Sequence, residues 1–372
     1  MSRYGLIGYP IGHSSSPDLF RAAYDGELAY DLIPAQTFDE AWKMFVDGYD
    51  AVNVTAPFKR EAFLKADIRT PEAEKCSAAN ILVKTPDGIM AHNSDYLAVR
   101  YILSAILAVS RNPELPEGSG TALRTVAVIG TGGAGRAAKA AAEDLGLEVS
   151  VYRHTEIESG VESDIIVYTL PSAVPGVEKL RCRVLLEANY KDPCLKGRRD
   201  FQYIGGKLWL REQARLGYGL MTGRTPKAGV VAVGGFMGSG KTTVGRRLAE
   251  FSGRRFVDLD DEVEKAAGKS IADIFKTEGE SFFRRLELEC LKKAVSQDGI
   301  VLALGGGTFT ISEAKSVLFN TEFVYLQTDF ETVAERLSRD KGRKRPLYDP
   351  ETLEALYNER QVLLNECIDS LQ

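Results

Sequence analysis

Residues 235–242 form the motif with the most definite chemistry in this chain. They read Gly-Phe-Met-Gly-Ser-Gly-Lys-Thr, which fits the phosphate-binding pattern G-x-x-x-x-G-K-[ST] between an apolar strand and an amphipathic helix predicted at Thr243–Glu250. Backbone N–H groups of such a loop surround a phosphate, while Lys241 reaches the terminal phosphates and the Thr242 hydroxyl holds Mg²⁺. We therefore expect ATP and Mg²⁺ here. The residues assigned to the nucleotide are Gly238, Ser239, Gly240, Lys241, Thr242 and Thr243.

A second glycine pattern, G-x-G-x-x-G at 130–135, follows the apolar run Thr125–Ile129 and opens an alanine-rich helical stretch. This order is typical of a dinucleotide-binding βαβ unit. An NAD site places Asp or Glu after the next strand, whereas this chain has Arg153 between Tyr152 and His154. An arginine suits a 2′-phosphate, so NADPH is the expected cofactor. The residues assigned to it are Gly130, Gly132, Gly133, Ala134, Gly135 and Arg153.

Short β-branched runs alternate with helical patterns along the 372 residues, which indicates α/β architecture with two or three domains. Pro/Gly-rich stretches at 111–120 and 223–229 mark the boundaries. The predicted fold is an N-terminal α/β substrate domain plus a Rossmann-like dinucleotide domain, followed by a P-loop domain with a parallel sheet. The predicted domains are residues 1–110 completed by 206–224, then 121–205, then 228–372.

Composition excludes several classes of protein. A net charge of −5 and a pI near 5.6 argue against a nucleic-acid partner. No apolar run reaches the roughly 18–20 residues of a membrane span, and Met1–Gly5 enters a strand-like segment without a signal-peptide pattern. The five cysteines are scattered, and the three histidines have no second ligand type at metal spacing. We expect a cytoplasmic protein that acts on small molecules; its oligomeric state stays open.

Residues 228–372 resemble shikimate kinase over nearly their whole length. Asp258-Leu259-Asp260 matches that family's Asp-x-Asp, Gly305–Gly307 its glycine triplet, and Lys341–Leu347 its mobile lid. The stretches 268–275 and 280–287 look like its signature helix pair. The resemblance implies a P-loop kinase fold and ATP-dependent phosphorylation of shikimate.

The same resemblance implies roles for single residues. Asp258 would act on the Mg²⁺ side, and Asp260 would bind substrate hydroxyls and serve as the base. The two carboxylates are expected at the end of one strand, where their i, i+2 spacing points both side chains into one pocket. The remaining residues are the carboxylate-binding Arg284 and Arg360, the pocket-lining Gly306 and Gly307, and Arg345, which would neutralise the transferring phosphate. The family continues past the Arg360 position with another strand and helix, whereas twelve residues follow here.

Residues 1–224 resemble shikimate dehydrogenase. Residues 8–17 look like that family's opening, Asn53–Lys59 matches its Asn-Val-Thr-x-Pro-x-Lys motif, and His92–Asp95 and Cys76–Ile81 match two further segments, the last only in part. Lys59 beside Asp95 would donate a proton or stabilise the charge that develops on a ketone oxygen during hydride reduction. The residues implied for substrate binding are Ser14 and Ser16 at its carboxylate, and Thr55, Asn80, Tyr190 and Gln213.

Together the two resemblances predict NADPH-dependent reduction of 3-dehydroshikimate to shikimate, followed by ATP-dependent phosphorylation to shikimate 3-phosphate. Two alternatives stay open. One is a sensor or repressor that binds the acid without converting it, although Lys59, Asp95, Lys241 and Asp260 are all present. The other is a quinate-type dehydrogenase joined to another small-acid kinase.

Overall fold

The computed structural model describes residues 2–110, 123–198, 200–319, 321–339 and 348–371. Its internal contacts divide the chain into two compact units, residues 1–195 with 205–227 and residues 196–204 with 228–372. Strands and helices alternate in both units, which confirms the predicted α/β class. Within the described ranges, no helix is long and apolar enough to span a membrane. The predicted lid Lys341–Leu347, with Arg345, lies outside the described residues.

The first sheet of the first unit is mixed, with the strand order β2-β1-β3-β5-β6-β4. β1 pairs in parallel with β2 and β3, whereas β5 is antiparallel to β3 and β6. Its strands are β1 (Tyr4–Gly8), β2 (Tyr30–Pro34), β3 (Ala51–Val54), β4 (Ile68–Arg69), β5 (Ile81–Thr85) and β6 (Gly88–His92). The accompanying helices are α1 (Ser16–Ala23), α2 (Phe38–Gly48), α3 (Lys59–Lys65), α4 (Pro71–Cys76) and α5 (Ser94–Ser110).

The second sheet is parallel, and its strands in the first unit run in the order β10-β9-β7-β8. The burial of β7 and β9 on both faces explains why their sequences are continuous apolar runs. The strands are β7 (Thr125–Ile129), β8 (Glu148–Tyr152), β9 (Ile165–Tyr168) and β10 (Val184–Glu187), with helices α6 (Gly133–Asp144) and α7 (Gly206–Thr222). α6 buries an alanine face against α5, and α7 also packs on α5.

The second compact unit contains a parallel sheet with the order β13-β14-β12-β15, and it also includes the short strand β11 (Gln202–Ile204). The sheet strands are β12 (Val230–Gly234), β13 (Arg255–Asp258), β14 (Ile300–Ala303) and β15 (Glu322–Tyr325). The helices are α8 (Lys241–Ser252), α9 (Leu259–Ala267), α10 (Ile271–Thr277), α11 (Glu280–Val295), α12 (Ala314–Leu318), α13 (Phe330–Arg339) and α14 (Leu353–Leu371). Ligands of such sheets bind at the carboxyl ends of the strands, where β12, β13 and β14 end here.

Candidate active sites

A cavity of about 290 Å³ in the first unit brings together all eight side chains that the sequence assigned to catalysis and substrate binding in this half. Most come from loops and helix termini that follow the carboxyl ends of strands, whereas Asn80 directly precedes β5 and Gln213 lies on α7. These residues are Ser14, Ser16, Thr55, Lys59, Asn80, Asp95, Tyr190 and Gln213. One predicted cofactor residue, Ala134, also lines this cavity, which therefore joins the acid-binding side to the first turn of α6.

Lys59 and Asp95 form an ion pair in this cavity, with 2.7 Å between Nζ and Oδ2. Lys59 is the first residue of α3, and Asp95 lies in the first turn of α5, where a helix amino terminus favours a carboxylate. The lysine side chain is 28% exposed and the aspartate 15%, so a substrate can reach both groups. The pair can donate a proton from nitrogen and hold the resulting amine in place.

Asn80 fixes the start of α5. Its Nδ2 donates to Ser94 Oγ at 3.0 Å, and its Oδ1 accepts from the Ser94 backbone N–H at 2.7 Å. The Ser94 hydroxyl in turn donates to Gln213 Oε1 at 3.3 Å. Asn80 and Ser94 are buried, at 4% and 0% exposure. Hydrogen bonds among Asn80, Ser94 and Gln213 thus link three segments of the chain, and each buried polar group has a partner. This network holds the start of α5, and with it Asp95, beside Lys59.

Two hydroxyl groups face the cavity at the start of α1. Ser14 Oγ lies 3.1 Å from Ser16 Oγ and accepts the Ser16 backbone N–H at 3.2 Å. Tyr218 donates its hydroxyl to the Ser16 carbonyl at 3.1 Å, and burial raises the pKa of this phenol, which stays protonated. Two adjacent hydroxyl donors at a short helix terminus can bind the two oxygens of one carboxylate.

Cys76 is fully buried at the end of α4, next to the same site. Its carbonyl accepts a hydrogen bond from Arg136 Nε at 3.0 Å. Burial and the nearby Asp95 carboxylate raise the pKa of its thiol to about 12, against smaller opposing effects of Arg136 and Lys59. The thiol is therefore protonated and packs as a small apolar group.

The glycines of the second motif shape the turn from β7 into α6. Gly130 has φ +112°, and an added Cβ would lie 2.3 Å from Thr169 Oγ1. A Cβ on Gly135 would lie 1.9 Å from the Gly130 carbonyl oxygen, so this position is closed to any side chain. Gly132, before the helix, has open space around it. The turn thus fits a pyrophosphate, which needs close access to backbone N–H groups.

Arg153 lies at the end of β8, beyond the cavity, and its side chain is exposed. Its backbone N–H donates to Glu156 Oε2 at 2.6 Å. Glu156, three residues further on, is a carboxylate that was not among the predicted site residues. That carboxylate is held by the backbone of the turn that follows β8.

A second cavity, of about 350 Å³, lies in the second unit at the carboxyl ends of β12, β13 and β14. It contains most of the described residues that the sequence assigned to this half. These are Gly238, Gly240, Lys241, Thr242, Thr243, Asp258, Asp260, Arg284, Gly306, Gly307 and Arg360. Ser239 lies beneath the loop, 5% exposed, and its Oγ is a buried oxygen without a hydrogen-bond partner.

The phosphate loop has the backbone that its glycines predict. Gly238 and Gly240 have φ +78° and +95°, in the left-handed region that favours glycine. The Lys241 ammonium donates to the carbonyls of Gly235 and Phe236 at 3.0 and 2.9 Å, which holds it over the loop. α8 begins at Lys241, two residues earlier than predicted, because Gly240 serves as its N-cap.

Thr242 and Asp258 form the oxygen pair of this site, since the Thr242 hydroxyl donates to Asp258 Oδ2 at 2.9 Å. The predicted arrangement of Asp258 and Asp260 on one strand is wrong. β13 ends at Asp258, whose Oδ1 accepts the Asp260 N–H at 3.1 Å and caps α9. Asp260 is therefore in the first helical turn, and it reaches the cavity from there.

The far end of the cavity carries two arginines. Arg284 pairs with Glu287 at 2.6 Å and with Glu280 at 3.0 Å, and its guanidinium lies against Gly307, where an added Cβ would be 2.5 Å from Nη2. Arg360 donates to the Gly306 carbonyl at 3.0 Å. Burial and then the neighbouring Arg284 lower the pKa of Arg360. Two cations that repel one another in a partly buried site favour binding of an anion such as a carboxylate.

Two further residues of this cavity were missed by the sequence analysis. Glu287 is fully buried and accepts from both Arg284 and the Thr308 hydroxyl, the latter at 2.6 Å. Arg336, on α13, donates to the Gly238 carbonyl at 3.2 Å, and burial lowers its pKa. The signal for Glu287 was its position one helical turn after Arg284, a spacing at which carboxylates and arginines meet.

The second cavity is that of a P-loop phosphotransferase with a cationic acceptor site. Residues 237–371 match the sequence model of the shikimate kinase family. A shikimate kinase of Persephonella marina is 41% identical over 130 residues, which are 35% of this chain and 79% of that protein. Shikimate kinase 1 of Escherichia coli is 42% identical over 141 residues, 36% of this chain and 80% of the relative. The chain belongs to the shikimate kinase family through this unit.

Residues 6–82 match the model of the shikimate dehydrogenase substrate binding domain. The shikimate 5-dehydrogenase of Thermus thermophilus, solved with NADP(H) and shikimate, is similar at a TM-score of 0.50 and 22% identity, over 61% of this chain and 95% of its own. The structure of a chorismate mutase/shikimate 5-dehydrogenase fusion from Clostridium acetobutylicum is also similar, with a TM-score of 0.50 and 22% identity. The match covers 60% of this chain and 92% of that chain. These likenesses show the dehydrogenase fold, joined here to a kinase in one chain.

Proposed function

We propose that this chain catalyses two consecutive steps, reduction of 3-dehydroshikimate by NADPH and phosphorylation of the resulting shikimate by ATP. The observation that carries the proposal is that each compact unit has its own cavity with its own reactive groups. One holds the Lys59–Asp95 pair beside serine hydroxyls, and the other holds a P-loop opposite Arg284 and Arg360. We assign the substrate domain to 1–110 with 206–224, the NADP domain to 121–205 and the kinase to 228–372.

In the dehydrogenase reaction, Ser14 and Ser16 bind the substrate carboxylate, and Lys59 donates a proton to the ketone oxygen. Asp95 orients the Lys59 ammonium before the proton is transferred, and it holds the resulting amine in the same position afterwards. Bound NADPH supplies the hydride. It would be held by the turn at Gly130–Gly135 and by Arg153 at the 2′-phosphate, and the Thermus relative that binds NADP(H) supports this choice. Thr55, Asn80, Tyr190 and Gln213 complete the substrate pocket.

In the kinase reaction, Arg284 and Arg360 bind the carboxylate of shikimate and direct its ring toward the P-loop. Asp260 accepts the proton of the attacking hydroxyl, and Lys241 and Arg345 neutralise charge on the transferring phosphoryl group. The oxygens of Thr242 and Asp258 suit Mg²⁺, a hard cation that would neutralise phosphate charge when bound. Gly306 and Gly307 allow the substrate to approach the backbone.

The purified full chain should oxidise NADPH with 3-dehydroshikimate and form ADP with shikimate, each followed in a separate assay. Quinate and dehydroquinate serve as competing substrates, and NADH as the competing cofactor. Turnover of shikimate in the ATP assay, together with a higher kcat/KM for NADPH than for NADH, is the expected result. Tight binding of shikimate without turnover in either assay would contradict the proposal and indicate a sensor.

A further inference from the structure

Tyr218 is a buried side chain of the first cavity that has no part in the reaction proposed above. It is 2% exposed, yet it lines the same cavity as Ser14 and Ser16. Tyr218 lies on α7, and its neighbour Gly217 allows this helix to pack closely, since an added Cβ there would be 3.1 Å from Ser94 Oγ. The backbone that carries Tyr218 is therefore fixed directly against the site.

Tyr218 contacts Ser16 through two groups of that serine. The Tyr218 hydroxyl donates to the Ser16 carbonyl at 3.1 Å. Burial raises the pKa of the phenol, and a hydrogen bond with the Ser16 side chain opposes that rise. Ser16 in turn donates its backbone N–H to Ser14 Oγ at 3.2 Å, and the two serine hydroxyls lie 3.1 Å apart. A displacement of Ser16 would therefore change the spacing of both hydroxyls.

Aromatic neighbours hold the ring of Tyr218, so its hydroxyl has a defined position. The ring centroid lies 4.8 Å from that of the fully buried Phe20 and 6.1 Å from that of Tyr30, both in edge-on contacts. The Tyr30 hydroxyl donates to Asn53 Oδ1 at 2.7 Å, whereas the Tyr218 hydroxyl donates to Ser16. Because the ring contacts do not involve the hydroxyl, Tyr218→Phe removes one hydrogen-bonding group and leaves the packing in place.

We propose that Tyr218 is a positioning residue for the substrate carboxylate, which holds Ser16, and through it Ser14, in the arrangement that binds both carboxylate oxygens. A tyrosine hydroxyl is neutral at pH 7, so it orients the serines without adding a charge to the anion site. The aligned hydroxyl pair favours an acid over its neutral ester. This inference rests on the proposed function, which assigns the two serines to the carboxylate.

The test measures the binding of shikimate and of its methyl ester to the full chain by tryptophan fluorescence. Both tryptophans, Trp42 and Trp209, belong to the first unit, and Trp209 lines its cavity, so the signal reports binding at this site and not at the kinase site. In Tyr218→Phe, loss of one neutral hydrogen bond should raise Kd for shikimate about three- to tenfold. Kd for the ester should change by less than about twofold.

Two further variants show whether Tyr218 acts through Ser16. Tyr24→Phe is the matched control, because Tyr24 belongs to the same aromatic cluster and donates its hydroxyl to the Tyr218 carbonyl at 3.0 Å. It should leave both Kd values within about twofold. Ser16→Ala should weaken shikimate binding by itself, and Tyr218→Phe should then raise Kd by less than it does in the original chain, because the two changes remove one shared interaction.

The outcomes separate positioning from a general structural role. Equal weakening of acid and ester binding in Tyr218→Phe would mean that Tyr218 supports the fold of the first unit, and the proposal would be wrong. Unchanged Kd values, or an undiminished effect in the Ser16→Ala background, would overturn it as well. The kcat of NADPH oxidation should stay within about twofold, since Lys59 and Asp95 are untouched.

Failure of the proposed function has a different signature. A chain that binds shikimate in the first unit but does not reduce 3-dehydroshikimate would refute the dehydrogenase reaction alone, and the Kd comparison would still decide the role of Tyr218. If the original chain binds the methyl ester as tightly as shikimate, the two serines do not form a carboxylate site, and both proposals are wrong.

Discussion

The Lys59 ammonium lies 2.7 Å from the Asp95 carboxylate, across the amino termini of two helices that follow different strands. Neither residue is close to the other in sequence, so the pair exists only because β3 and β6 end at the same edge of the first sheet. Asn80 and Ser94 maintain it through buried hydrogen bonds. The position of the Lys59–Asp95 pair is thus fixed by the packing of the first unit, and the same pair carries the proposed proton transfer.

Lys59→Ala should lower kcat of NADPH oxidation by about 10²–10⁴, because a positioned proton donor contributes on that order. Kinase turnover should be unchanged. The matched control is Lys65→Ala at the other end of α3, where an exposed lysine pairs with Asp39. Steady-state kinetics of NADPH absorbance measure the effect. A Lys59→Ala variant with more than a tenth of the original kcat would exclude the lysine as proton donor.

Glu287→Gln should raise the kinase KM for shikimate about tenfold or more, with a smaller change in KM for ATP. The buried carboxylate orients Arg284 through a charge-assisted hydrogen bond, and such bonds contribute about 1.5–3 kcal/mol. Glu289→Gln, an exposed position on the same helix, serves as the control. Equal increases in both KM values would mean that Glu287 supports the whole fold of the site and does not position Arg284.

Ser77→Gly should stabilise the first unit by about 0.5–1 kcal/mol. Ser77 is the C-cap of α4 with φ +47°, a conformation that glycine adopts without the steric cost of a Cβ. Ser296→Gly is the matched control, since Ser296 also caps a helix but has φ −73°. Both tryptophans, Trp42 and Trp209, lie in the first unit, so fluorescence during urea unfolding follows that unit alone. A lower midpoint for Ser77→Gly would contradict the prediction.

Asp164→Asn should destabilise the first unit at pH 7 by about 0.5–1.5 kcal/mol and have little effect in acid. Burial raises the pKa of Asp164, but the N–H groups of Arg124 and Thr125 outweigh it, so the pKa is lowered. A lowered carboxyl pKa stabilises the fold above about pH 4, and this contribution disappears as pH falls through the folded value. The exposed Asp87→Asn is the control. A destabilisation independent of pH would contradict this account.

The sequence predicted elements well where one physical signal dominated. Strand Thr125–Ile129 has the predicted bounds because its apolar β-branched run ends at Gly130. The predicted bounds were wrong where a helix-capping residue ends the preceding strand. Asp258 ends β13 because its carboxylate caps the following helix, and the acidic run at 260–262 was the available signal for that first turn.

For the sites, motif residues could be chosen from the sequence because phosphate loops require fixed residue types at fixed spacing. Arg336 could not be chosen in this way, and for Glu287 the spacing from Arg284 was the one local signal, since both side chains also depend on partners distant in sequence. Glu287 meets Thr308 and Arg336 meets Gly238 only after α11 and α13 pack beside the sheet.

The burial of Cys76 has a consequence for the redox chemistry of the first unit. Because burial raises the pKa of this thiol to about 12, it is almost entirely protonated at pH 7 and the reactive thiolate is rare. Peroxide and alkylating reagents attack the thiolate, and this sulfur is also shielded from solvent. The cavity of Lys59 and Asp95 thus has a cysteine at its edge that oxidants reach only when the fold opens, so slow labelling of Cys76 would report how often this unit unfolds locally.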